Sequence, residues 1–105
     1  MIADFSIAPV GKGESLSVYV AEAFKIIEAS GIAYEHHAMG TNLEGDWDDV
    51  MAVIKACRDK MFDSCERLSL SIKIDDRKGA ADRIAHKVAS ARAKMSIVSE
   101  GSSSL

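Results

Sequence analysis

The sequence predicts one small α+β domain, and three observations carry that expectation. Residues 67–75 set Leu68, Leu70, Ile72 and Ile74 against Arg67, Ser69, Ser71, Lys73 and Asp75, the period of two of a strand with one apolar and one polar face. Two stretches of helical spacing, around Val20 to Ile27 and around Val50 to Met61, each lie between strand-like segments. The chain has 105 residues, 48% hydrophobic and 28% charged, which is enough apolar material for one core and too little length for two domains.

Each element follows in order. Residues 2–8 read as a strand with Ala3, Phe5 and Ile7 on one face and Asp4, Ser6 and Ala8 on the other; Pro9, Gly11 and Gly13 end it. From Ser17 onward Val20, Ala23, Phe24 and Ile27 recur at helical spacing, with Ser15 or Ser17 as N-cap and Gly31 where the helix stops. Residues 33–38 and 41–44 are two short strand candidates joined at the Met39-Gly40 pair. Trp47, Val50, Met51, Ile54 and then Cys57 or Met61 make the apolar stripe of a second helix, expected over residues 46–62. Asp46, Asp48 and Asp49 crowd its first turn, where the helix dipole favours negative charge. After the strand at 67–75, Asp75-Asp76 offers an N-cap for a third amphipathic helix bearing Ala81, Ile84, Ala85, Val88, Ala91 and Met95. Residues 96–105, five of them serine, read as a loose tail beyond a domain of residues 1–95.

Two split βαβ units in succession, βαββαβ plus a C-terminal helix, make a ferredoxin-like sandwich. The expected sheet is four-stranded and antiparallel, in the order 4-1-3-2, with helices on one face. Asp4, Ser6, Ser69, Ser71 and Lys73 then project from the face the helices leave open.

Composition and motifs exclude several functions. Thirteen Lys and Arg against sixteen Asp and Glu give a net charge of -3, without the basic excess of a nucleic-acid binder. The apolar runs fall far short of the roughly 20 residues that cross a bilayer, and the first residues are not basic, so no membrane partner and a cytoplasmic location are expected. Cys57 and Cys65 stand outside any CxxC or CxxH cluster and read as buried or half-buried free thiols. His36 and His37 are adjacent on a strand and so point to opposite faces; with His86 on another helix, no metal site and no cofactor are expected. No G-x-S-x-G elbow, G-x-G-x-x-G or P-loop spacing is present. The acids Asp46, Asp48 and Asp49 read as helix-start residues rather than as acid–base machinery, whereas Glu44 stands apart on a strand near the hairpin. The run Lys73-Ile74-Asp75-Asp76-Arg77 has two readings: a helix cap with local ion pairs, or a Lys73 that brings positive charge to the open face.

Several motifs together resemble the small thiamine-binding protein family. They are Ile2 to Pro9, the helix start Ser17-Val18-Tyr19-Val20, Met39-Gly40-Thr41 followed by Leu43-Glu44, Asp48-Asp49-Val50-Met51, and above all Lys73-Ile74-Asp75-Asp76-Arg77, in order along residues 1–95. The resemblance implies the ferredoxin-like fold, homodimers and homotetramers assembled through the sheets, and a small-molecule ligand: thiamine or its hydroxymethylpyrimidine portion. It implies no established reaction. Carried over by position, the ligand-binding residues it implies are Ser6, Met39, Gly40, Thr41, Glu44 and Lys73. Their chemistry suits an aminopyrimidine, with Glu44 as acceptor, Ser6 and Thr41 as hydroxyl partners and Met39 as apolar surface; Lys73 suits a phosphate or a structural pair. The expected function is non-catalytic binding by a homo-oligomer. The alternatives are a small enzyme of thiamine metabolism, or a structural or regulatory oligomer without a ligand.

Overall fold

The period-two run at the start of the chain becomes β1 (Ile2–Pro9), the strand around which the other elements assemble. The structure, a computed structural model, describes residues 1–11, 16–79 and 90–95. Along it follow α1 (Leu16–Ala29), β2 (Ala33–His37), β3 (Gly40–Glu44), α2 (Trp47–Met61) and β4 (Leu68–Asp75). Residues 90–95 are helical, at the end of the stretch expected to form the third helix. The rest of that helix, and the serine-rich tail, lie outside the described residues.

The four strands form one antiparallel sheet in the order β2-β3-β1-β4, the expected order read from the other edge. The fold is thus the ferredoxin-like βαββαβ sandwich. Register assigns the faces, because residues two apart along a strand share a side. Ala3, Phe5, Thr41, Leu43, Tyr34 and His36 fall on the helix side, as do Leu70, Ile72 and Ile74; Asp4, Ser6, Asn42, Glu44, Ser71 and Lys73 fall on the open side.

α1 and α2 pack against each other and over β1. Their meeting line is the core: Ala23 and Ile27 of α1, Val50, Ile54 and Cys57 of α2, and Ala3, Phe5 and Leu43 of the sheet. Each large apolar side chain there contributes about 1.5–3 kcal/mol by leaving water. α1 starts at Leu16, so Ser17 lies within its first turn and does not precede it as a cap, while Ser15 lies outside the described residues. The other end is as expected. Ser30 Oγ donates to the Ile27 carbonyl at 2.5 Å, and Gly31, at φ 78°, takes the left-handed turn that a side chain would resist.

α2 carries Asp48 and Asp49 in its first turn and Arg58 and Lys60 in its last, each at the dipole end that favours its charge. Asp46 is the N-cap by backbone position, but its side chain makes no capping hydrogen bond. Trp47, expected on the apolar stripe, is exposed at the helix start, and Val53 joins Val50, Ile54, Cys57 and Met61 inside. Cys57 and Cys65 are both free and buried. Burial pushes the Cys57 thiol up to about 11, since an anion there would have no water.

One expectation about β4 does not hold. Its apolar face was expected in the core, yet Leu70, Ile72 and Ile74 remain 36–38% exposed. The reason is topological: the two helices centre on β1, and β4 is the edge strand beyond it.

Candidate functional site

The sheet is not filled evenly. β1 pairs with β3 only from Ile2↔Glu44 to Phe5↔Thr41, whereas its pairing with β4 continues through Ser6↔Ser71 to Pro9↔Leu68. The β2–β3 hairpin turns back at Ala38 and Met39, between the paired His37 and Gly40, before it can reach the second half of β1. Among the described residues, Ser6 to Pro9 therefore have a strand on one side only.

Between this free edge, the hairpin tip and α1 lies a hollow of about 380 Å³. Its walls are the apolar Phe5, Ile7, Val20, Ala23 and Phe24, and its polar lining includes Ser6, Thr41, His37, Ser69 and Ser71. An enclosure of that size with mainly apolar walls and a few hydroxyls is the kind that holds a small organic molecule. Main chain contributes as well. The Met1 carbonyl accepts from the Gly45 N–H on the β3 side, and the Val10 N–H donates to the Arg67 carbonyl on the β4 side. Peptide groups alternate along a strand, so Ile7 turns its N–H and C=O toward the side that β3 has vacated. Pro9, which has no N–H to offer, stands on that same edge without loss of a ladder bond.

Four of the six expected ligand-binding residues meet here: Ser6, Met39, Gly40 and Thr41 all line the hollow. Met39 is 83% exposed and forms the rim, while Thr41 is 3% exposed and is a buried polar residue of the sheet. Glu44 and Lys73 lie elsewhere. Glu44 is opposite Ile2, at the far end of the β1–β3 ladder, and Lys73 is opposite Asp4 on the open face; neither lines the hollow.

The two adjacent histidines separate as the strand alternation requires. His37 turns to the open side, where its Nε2 bonds Asp4 Oδ1 at 2.8 Å, and the Met39 N–H donates to its Nδ1 at 3.2 Å. A backbone donor at Nδ1 fixes that nitrogen as the acceptor, so the Nε2–H donates to Asp4. The hairpin tip is thereby tied to β1. His36 turns to the helix side, stacked on Phe24 with ring centroids 3.6 Å apart and planes at 14°, and its Nδ1 lies 2.9 Å from Thr41 Oγ1. Among the described residues no group of three potential metal ligands converges. Sequence reasoning did not single out Val20, Phe24 or His37 as site residues. A signal existed in the strand lengths, since a β1 longer than the hairpin that pairs with it must leave a free edge.

Fold and hollow together define a small ferredoxin-like domain with a ligand-sized site at the hairpin end of its sheet. The chain belongs to the thiamine-binding protein family, whose model matches residues 3–92. Among curated relatives, a UPF0045 protein of Methanocaldococcus jannaschii is 36% identical over 88 residues, covering 84% of this chain and 88% of the relative. The UPF0045 protein YqgV of Bacillus subtilis is 38% identical over 95 residues, covering 85% and 91%. The crystal structure of the Methanocaldococcus protein superposes with a TM-score of 0.77 over 85% of this chain and 92% of that one. A domain of unknown function from Bacillus cereus, 33% identical, superposes at 0.74 over 83% and 85%. No described helix is long and apolar enough to cross a membrane.

Proposed function

We propose that this protein binds thiamine or its hydroxymethylpyrimidine portion without transforming it, in the hollow beside β1. The observation that carries the proposal is the convergence of Ser6, Met39, Gly40 and Thr41 on one cavity of about 380 Å³. An aminopyrimidine is flat and mostly apolar, with a few hydrogen-bonding groups at its edge. Phe24, Val20 and Met39 offer apolar surface, and Ser6, Thr41 and the Ile7 peptide offer donors and acceptors. Membership of a family described as thiamine-binding supports the same ligand class. Glu44 and Lys73 belong to the open sheet face in this proposal, where they would meet a second subunit rather than the ligand.

The proposal includes self-association to dimers and tetramers in the cytoplasm. Leu70, Ile72 and Ile74 present an apolar strip along an edge strand, the kind of surface that soluble proteins cover. Calorimetric titration with thiamine and with hydroxymethylpyrimidine tests the ligand assignment. Binding is expected for the wild type, and Thr41→Val should weaken it by about tenfold through loss of one buried hydrogen bond. A wild type that binds neither compound at millimolar concentration would refute the assignment.

A further inference from the structure

Thr41 is held by a chain of groups that reaches the protein surface. Its Oγ1 lies 2.9 Å from Nδ1 of His36, and the opposite ring nitrogen, Nε2, faces Oε1 of Glu28 on α1 at 3.4 Å. Nε2 is buried and makes no hydrogen bond among the described residues, the Glu28 carboxylate lying within ion-pair distance only; that carboxylate is half in water and also receives the Tyr34 hydroxyl at 3.4 Å. Phe24 stacked on one side and Tyr34 tilted at 4.8 Å hold the ring in this orientation.

The polarity of the chain follows from its acidic end. A carboxylate only accepts hydrogen bonds, so a bare lone pair on Nε2 would face another lone pair across 3.4 Å. The favoured neutral ring carries its proton on Nε2, which leaves Nδ1 as an acceptor. The hydrogen of Thr41 is then committed to Nδ1. What Thr41 has left to show the hollow is the lone pairs of its oxygen.

We propose that Glu28 and His36 hold the Thr41 hydroxyl as a hydrogen-bond acceptor toward the hollow, so that the site selects a ligand group that donates over one that accepts. This deepens the pyrimidine-binding proposal and rests on it for the identity of the ligand: the group selected is an exocyclic amine. Glu28 and His36 are positioning residues in this scheme, since neither is needed to touch the ligand. Discrimination arises because an acceptor placed against Thr41 would meet lone pairs with no proton between them, leaving a buried polar group unsatisfied.

The test joins a ligand-independent measurement to a ligand-dependent one. Nitrogen NMR of the intact protein at neutral pH reports which ring nitrogen of His36 is protonated. Calorimetry then compares hydroxymethylpyrimidine with the analogue in which oxygen replaces the exocyclic amine. The wild type is expected to show a protonated Nε2, an unprotonated Nδ1, and about tenfold preference for the amine. In Glu28→Lys the ammonium, which can only donate, faces Nε2, which drives the ring proton to Nδ1 and releases the Thr41 hydrogen toward the hollow. The preference should fall to about one or reverse, while Glu35→Gln on the opposite face of β2 should leave it unchanged. A wild-type ring protonated at Nδ1 or at both nitrogens overturns the inference, and so does a Glu28→Lys protein that keeps the full preference. If neither pyrimidine binds but the Nε2–H form is found, the ligand assignment fails while the orientation of Thr41 stands.

Discussion

A methyl group added at Gly40 would place its carbon 2.6 Å from the carbonyl oxygen of Phe5. That oxygen belongs to the last β1 residue that the hairpin reaches, so the close approach of the two backbones is what seats the hairpin tip beside the hollow. Gly40→Ala should push β3 away from β1 and destabilise the fold by about 1–3 kcal/mol, the usual range for forcing atoms into a filled space. Thermal unfolding would register it as a fall of about 4–8 °C for each kcal/mol in a domain of this size. An unchanged melting temperature would mean that the strand can yield at no cost.

His37 gives a contrasting case. Its hydrogen bond to Asp4 is on the open face with both partners substantially exposed, and such exposed contacts contribute about 0–1 kcal/mol. His37→Ala should therefore change global stability little. The local effect should be larger, because the Met39 N–H loses its acceptor. Amide exchange at Met39 is expected to accelerate while exchange at core positions such as Leu43 stays as it was. Uniform acceleration across the sheet would contradict this.

The Cys57 thiol couples stability to alkaline pH. Burial raises it from its ordinary 9.0 to about 11, so the folded state favours the protonated form. The unfolded chain gives up that proton first as pH rises. The stability due to the neutral buried thiol is complete below about 9 and is lost progressively as pH climbs toward about 11. Urea midpoints measured across that window should fall more steeply for wild type than for Cys57→Ala. Parallel curves would show that Cys57 does not control this region.

Association is expected to depend on the edge strand. Ile72 lies mid-strand on the partly exposed apolar face of β4, opposite the buried Phe5. A lysine there would put a charge into any surface that covers the strip. Sedimentation should show the wild type as a multiple of 11.3 kDa and Ile72→Lys as a monomer with near-native circular dichroism. A wild type that sediments at 11.3 kDa would refute self-association.

What could be read from the chain alone divides along physical lines. Short-range periodicity specifies elements, so both described helices, all four strands and their order were legible, as was the stop at Gly31. Burial depends on neighbours distant in sequence, and there the expectations were weaker: Trp47 and the apolar face of β4 have the pattern of core residues but lie away from the line where α1 and α2 meet over β1. The candidate site shows the same division. Ser6 and Met39 to Thr41 come together because the hairpin brings its tip back to β1. Glu44, only three residues after Thr41, is carried away from that tip by the rise of the strand. The part played by Glu28 was not legible, since it depends on which turn of α1 crosses β2.

The hollow can also be regarded as an unfinished portion of sheet. It occupies the place where two further residues on each arm of the hairpin would extend β3 along Ser6 to Pro9. An insertion of two residues before Ala38 and two after Met39 preserves the inward and outward alternation of both strands. Ile7 would then find a ladder partner, and the vacancy would close without any substitution in its walls. Hairpin length, rather than the identity of a lining side chain, is thus the simplest inherited variable that decides whether this architecture has a cavity at all.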